Sequence, residues 1–181
     1  MKKLLLVSLA SLFLALPAFA DGDAPAKPAK SAKKPKKSKK GKKTVEANLG
    51  TKADAEWTNT TTGAAATPAQ KKWLKRGRVK SITGEVIEVS CYLQLGKRGE
   101  KHIPCGTNCL KNGQPAGILT DDGKVYMLMA EEHDPRRDGK VSLASTFIPY
   151  LAKRVKVTGR VQESKGTRAI FLQAGKLTAS K

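Results

Sequence analysis

Three cysteines and one histidine are the residues of this sequence with the clearest potential for chemistry. Cys91, His102, Cys105 and Cys109 follow one another with the spacing C-x10-H-x2-C-x3-C. If the last three lie on one helix, their spacing places them on the same face. Three thiolates and an imidazole form a tetrahedral donor set for zinc, and thiolates also suit Cu(I). The pattern therefore predicts a site for a soft metal, zinc or copper, made of these four residues.

Two other uses of the cysteines are compatible with the sequence. Exported proteins normally oxidise their thiols, and three cysteines then give one disulfide and one free thiol. A bridge within a helix between Cys105 and Cys109 is awkward, so Cys91 would pair with one of them and contribute about 3 kcal/mol by loop closure. Thiol redox chemistry by Cys105 and Cys109 is the remaining alternative.

Strands and a short helix must position these residues. Apolar residues alternate from Ile87 to Leu95, which predicts a strand with Cys91 on its apolar side. Asp-Gly at 122–123 predicts a hairpin turn, and a second hairpin is predicted between 155–162 and 168–173 because strand-forming residues flank Ser-Lys-Gly. Between the hairpins, apolar residues at helical spacing from 143 to 151 indicate a short helix.

This order of elements predicts a mainly β domain over residues 78–181. A five-stranded barrel of the OB type carries its short helix between the third and fourth strands, as predicted here. An immunoglobulin-like sandwich fits less well, because it needs about seven strands. Residues 44–77 are predicted to be a linker with one short helix from about Ala69, with Thr67 as its N-cap and Pro68 at its first position.

Two stretches resemble parts of small exported bacterial domains. The pattern Cys91-Tyr92, His102, Cys105 and Cys109, followed by Gly-Gln-Pro-Ala-Gly-Ile-Leu at 113–119, resembles a group of uncharacterised exported domains. The run from 148 to 161 resembles the helix-to-strand passage of exported OB-like domains. The resemblance implies that the four cysteine and histidine residues act as a set, and it implies no particular activity.

The first 20 residues have the organisation of a secretory signal peptide. Lys2 and Lys3 precede a mainly apolar run over residues 4–16, and Ala18-Phe19-Ala20 provides a cleavage site. A membrane span needs about 20 apolar residues, which is longer than this run. We therefore expect an exported protein, periplasmic or secreted, with a mature chain of 21–181.

A lysine-rich tail follows at residues 21–43. Its ten lysines face two aspartates, a net charge of +8, and it has no large apolar side chain to bury. Such a segment is expected to be disordered and to bind polyanions by releasing counterions. The lysines assigned to this contact are Lys33, Lys34, Lys36, Lys37, Lys39, Lys40, Lys42 and Lys43. Anionic envelope polymers or lipid head groups are the expected partners, and nucleic acid is less favoured because the protein is exported.

Composition and missing motifs favour binding over catalysis. The chain of 181 residues has 35 Lys and Arg against 15 Asp and Glu, a formal charge of +20. It contains no G-x-S-x-G motif and no phosphate-binding loop. We expect a non-enzymatic metal-binding module with a basic arm. The alternatives are a polyanion-binding protein whose cysteines form a structural disulfide, and a thiol-redox protein.

Overall fold

The computed structural model describes residues 44–177 and 179–180. The predicted signal peptide (1–20) and the lysine-rich tail (21–43), with all eight lysines assigned to polyanion binding, lie outside these residues. Within the described part of the chain, no helix combines the length and the apolar character needed to cross a bilayer.

The described residues form strands, α-helices and short 3-10 helices. The strands are β1 (Ala47–Leu49), β2 (Arg78–Glu88), β3 (Ala116–Leu119), β4 (Val125–Ala130), β5 (Arg154–Ser164), β6 (Thr167–Leu172) and β7 (Ala179–Ser180). The α-helices are α1 (Asn59–Ala64), α2 (Pro68–Leu74), α3 (Val89–Leu95), α4 (Ile103–Lys111), α5 (His133–Arg137) and α6 (Ala144–Phe147). The 3-10 helices cover Ala53–Ala55, Glu100–His102, Ile148–Tyr150 and Ala174–Lys176.

Five strands close into a barrel, which confirms the predicted fold class. β2, β3 and β4 are joined in antiparallel order, β4 pairs with β6 in parallel, and β6 pairs with β5. β5 then pairs with β2 and closes the barrel, with Ile82 opposite Val157. The helices α5 and α6 lie between the third and fourth barrel strands, as the OB-type prediction requires.

β2 must bend strongly because it pairs with two different strands. Residues 78–85 face β5 and residues 85–88 face β3. Gly84 lies where this change occurs, and a Cβ there would be 2.3 Å from the carbonyl oxygen of Leu119. Only glycine allows the backbones to approach so closely.

The barrel is filled by the inward-facing residues of the alternating strands. In β5, Val155, Val157, Gly159 and Val161 are buried, while the residues that alternate with them reach the surface. Phe147 of α6 is fully buried and belongs to the same hydrophobic cluster. Complete burial stabilises each such side chain by about 1.5–3 kcal/mol, so this cluster holds the barrel closed.

Residues 44–77 differ from the linker predicted for them. β1 pairs in parallel with β5 and in antiparallel with β7, and Leu49 enters the core. The predicted short helix is present as α2, where Thr67 forms a capping box with Gln70 and Pro68 occupies the first turn. The linker prediction failed because a three-residue strand is too short to show an alternating pattern.

Candidate metal centre

Cys91 is positioned by a buried carboxylate at the start of α3. Glu88 is the last residue of β2 and the N-cap of α3, and its two carboxylate oxygens accept hydrogen bonds from the backbone N–H groups of Ser90 (2.7 Å) and Cys91 (2.8 Å). These contacts satisfy two of the free N–H groups of the first helical turn. Gly96, in the left-handed conformation at φ 65°, ends the helix.

The predicted strand from Ile87 to Leu95 is therefore wrong beyond Glu88. Cys91 lies on α3 and not on the apolar side of a strand. The alternating apolar residues at the end of this run are not buried, since Leu93 is 70% and Leu95 is 62% exposed. The cap at Glu88 and the C-terminal glycine Gly96 favour a helix over the strand that alternation indicates.

Glu88 and Cys91 also share a hydrogen bond between their side chains, which changes both ionisation equilibria. Burial acts to raise the pKa of Glu88, but hydrogen bonds from Cys91 and Ser90 outweigh it, so this pKa lies below its usual range. The hydrogen bond to Glu88, then burial and the nearby charge of Glu88, raise the pKa of Cys91 to about 12. The thiol of Cys91 therefore keeps its proton at neutral pH until a cation displaces it.

Cys105 and Cys109 lie one turn apart on α4. The adjacent face of this helix packs on the barrel, where Leu110 and Gly106 are buried. A Cβ on Gly106 would lie 2.8 Å from Cδ2 of Leu151, so the glycine allows the helix to approach the domain closely. Cys105 is exposed and Cys109 is half-buried, so the cysteine-bearing side of α4 faces the site and the solvent.

The sulfur atoms of Cys91, Cys105 and Cys109 all lie within 4.8 Å of one another. The thiols of Cys91 and Cys109 interact directly, which contributes to the raised pKa of Cys91. All three cysteines are free, and no two of them form a disulfide in the described residues. The structural disulfide that was one alternative for these cysteines is therefore not found in the described residues. The three cysteines nevertheless lie close together, as the sequence predicts.

His102 belongs to a second group that shares Cys91 with the first. A ring nitrogen of His102, the thiol of Cys91 and a carboxylate oxygen of Glu88 lie within 4.8 Å of one another. His102 is only 6% exposed, and its Nε2 has no hydrogen-bond partner among the described residues. The sequence predicts one four-residue cluster, whereas the structure forms two overlapping groups of three, with Cys91 in both.

Glu88 is the member of this cluster that the sequence analysis missed. Its place in an alternating run favours a solvent-exposed strand residue, yet its side chain is fully buried. A carboxylate three residues before Cys91 is a possible helix cap, and this is the one signal that could have identified it.

Comparison with known proteins adds no further assignment to this geometry. No protein family, curated protein or solved structure matches the chain. The resemblance to small exported bacterial domains stays a prediction. Three sulfurs, one imidazole and one buried carboxylate lie together in this region, and these donors could hold a metal ion.

Proposed function

We propose that this protein is an exported, non-enzymatic binding protein that holds one soft metal ion, Zn²⁺ or Cu⁺, in its cysteine cluster. The observation that carries the proposal is the convergence of three sulfurs from two separate helices within 4.8 Å. The sequence separation between Cys91 and Cys109 makes this convergence a product of the tertiary fold. Local chain geometry alone would bring together only Cys105 and Cys109.

The chemistry of the donors favours a soft cation. Thiolates select Zn²⁺ and Cu⁺ over the hard ions Mg²⁺ and Ca²⁺, which prefer oxygen ligands. Cys91, Cys105 and Cys109 supply the thiolates, and His102 is the candidate for a further ligand because its buried Nε2 lacks a partner among the described residues. Bound to these residues, a metal ion would supply the positive charge that keeps three neighbouring thiolates ionised.

The exposure of the cluster favours exchange of the ion over permanent burial. Cys105 is exposed and Cys91 and Cys109 are half-buried, so a thiol or imidazole of another molecule can approach the ion. Structural zinc sites are typically closed by four protein ligands. We infer that this site binds metal reversibly, as a protein that stores or transfers metal requires.

The lysine-rich arm at 21–43 completes the proposal. Its net charge of +8 suits attachment to anionic envelope polymers or lipid head groups, and it would keep the metal-binding barrel close to such a surface. Polyanion binding is in this view the role of the arm and not of the barrel.

Metal titration of the reduced mature protein tests the proposal. Zn²⁺ and Cu⁺ are each titrated without oxygen against a chromophoric chelator, and we expect one ion per chain. Cys91→Ser, Cys105→Ser and Cys109→Ser should each weaken binding by at least about tenfold, because each removes one ligand. Ser90→Ala is the matched control: it lies beside Cys91, its hydroxyl bonds to Gln114 at 2.6 Å outside the cluster, and affinity should not change.

The same experiment separates metal binding from the disulfide and redox alternatives. Thiol counting on the protein as purified gives three protected thiols if metal is bound, and one thiol if a disulfide has formed. An oxidised protein that takes up no metal even after reduction would refute the proposal.

A further inference from the structure

A basic surface lies on α2 and the turn that follows it, outside the barrel strands. Residues 57–84 contain six lysines and arginines but no aspartate or glutamate. Four of these cations flank Trp73 in the sequence, and all four side chains are exposed. We call these four cations and the tryptophan the α2 surface: Lys71, Lys72, Trp73, Lys75 and Arg76.

The positive charge of the α2 surface is not neutralised by the neighbouring glutamates. Glu163 forms its ion pairs with Lys80 at 3.5 Å and with Arg168 at 3.7 Å. Glu56 pairs with Arg160 of β5 at 2.9 Å. Among the described residues, neither glutamate forms an ion pair with the α2 surface, which therefore keeps its four positive charges for a partner outside the chain.

Trp73 is held at this surface with half of its side chain in solvent. Its side chain is 50% exposed, and the guanidinium group of Arg76 lies 4.2 Å from the centre of its ring. The carbonyl oxygen of Trp73 accepts a hydrogen bond from the side-chain amide of Gln162 in β5 at 3.1 Å. The next carbonyl oxygen, that of Leu74, accepts a hydrogen bond from the indole N–H of Trp57 at 3.2 Å. These contacts fix α2 to the barrel, so the exposed indole belongs to an ordered surface.

We propose that the α2 surface binds the headgroup region of an anionic lipid bilayer, with Trp73 in the interface and the four cations against the lipid phosphates. Tryptophan is enriched at the boundary between hydrocarbon and water, because its ring is apolar and its N–H is polar. Lysine and arginine near an anionic bilayer are attracted by its negative surface potential. The proposal goes beyond the proposed function, because it gives the folded domain a membrane contact of its own, in addition to the arm at 21–43.

The environment of Trp73 favours a bilayer over an anionic polymer. A nucleic acid base that stacks on an indole needs a free ring face, and Arg76 already lies over one face of Trp73. An acidic polysaccharide would bind the cations by charge alone and would leave the indole in water. A bilayer interface takes up the exposed part of the indole and leaves Arg76 in place beside the phosphates.

Tryptophan fluorescence of the full mature chain tests the proposal. The probes are vesicles of mixed phosphatidylglycerol and phosphatidylcholine, with phosphatidylcholine vesicles as the uncharged control. With the anionic vesicles we expect the emission to shift to shorter wavelength and quenching by acrylamide to fall, because Trp73 leaves the water. Trp73→Ala should lose the shift at saturating lipid, since the half-buried Trp57 stays within the domain, and should bind about tenfold more weakly. Binding without a shift in the unaltered protein would overturn the proposal while leaving the role of the arm intact.

Charge variants separate the α2 surface from the net charge of the chain. The double variant Lys72→Gln with Lys75→Gln should weaken binding to the anionic vesicles by about 25-fold, or about fivefold for each cation. Its matched control is Lys97→Gln with Lys101→Gln, which removes the same charge from exposed positions between α3 and α4 and should weaken binding by less than about twofold. Equal losses in the two double variants would overturn the proposal.

Polymer probes complete the test. Heparin and single-stranded DNA are expected to bind through the lysine-rich arm and to leave the emission of Trp73 unchanged. A shift of this emission with either polymer, together with no shift on anionic vesicles, would overturn the proposal in favour of a polymer as the partner of the α2 surface.

Discussion

Replacement of Glu88 should destabilise the domain more than replacement of any surface carboxylate. Glu88→Ala removes the N-cap of α3, and with it the two hydrogen bonds that its carboxylate accepts from amide N–H groups, each worth about 1.5 kcal/mol because the acceptor is charged. We expect a loss of about 3 kcal/mol in the free energy of unfolding and a Tm lower by about 10 °C. Glu88→Gln keeps one oxygen acceptor, so its free energy of unfolding should fall by less than that of Glu88→Ala.

The matched control is Glu46→Ala, which removes the same charge from an exposed position. Glu46 lies 3.7 Å from Lys153, with about half of each side chain exposed, so its loss should cost less than about 0.5 kcal/mol. Urea denaturation followed by circular dichroism measures both variants. Equal stability of Glu88→Ala and Glu46→Ala would show that the buried cap does not hold α3.

The same perturbation has a chemical consequence and a pH dependence. The hydrogen bond and the charge of Glu88 raise the pKa of Cys91, so Glu88→Ala should lower that pKa and speed alkylation of Cys91 at mildly alkaline pH. Because the pKa of Glu88 is lowered in the folded protein, its contribution to stability is present at neutral pH. That contribution is lost as the pH falls through the lowered pKa. Mass-spectrometric rates of iodoacetamide labelling that do not differ from wild type would refute this electrostatic coupling.

Three further predictions concern the barrel, the metal and the arm. Gly84→Ala should lower the free energy of unfolding by about 3 kcal/mol, because the new methyl group would clash with the carbonyl oxygen of Leu119. Gly63→Ala in α1 is its control: the space around Gly63 is open, so this change should be neutral or stabilising. The apparent affinity for Zn²⁺ should rise from about pH 6 to about pH 8, since Cys91 must release its proton, and a flat profile would contradict this. Deletion of 21–43 should weaken binding to heparin and flatten its dependence on salt, and an unchanged slope would make the arm a tether only.

The barrel could be predicted because its strands alternate clearly. A polar residue separates Val155 from Val157, which predicts the strand β5. An Asp-Gly turn separates β3 from β4, which predicts their hairpin. The order of the barrel strands along the chain follows from such patterns. The short strand β1 could not be predicted, because three residues are too few to show the alternation of apolar and polar side chains that indicates a strand. Its place beside β5 depends on the burial of Leu49 in a core formed by the rest of the chain.

The cysteine cluster could be predicted as a set but not in its geometry. The spacing on α4 brings Cys105 and Cys109 together, and this followed from helix periodicity. The approach of Cys91 depends on α3, which begins because Glu88 turns inward at the end of β2. A glutamate in an alternating run gives no sign that it is buried, so only the folded structure shows this contact.

X-ray absorption spectroscopy of the zinc-loaded protein tests the central claim most directly. If the sulfurs of Cys91, Cys105 and Cys109 bind one ion, the first shell must contain three sulfur atoms at about 2.3 Å from the zinc. Cys91→Ser should reduce that sulfur shell by one. A first shell of nitrogen and oxygen alone would contradict the account.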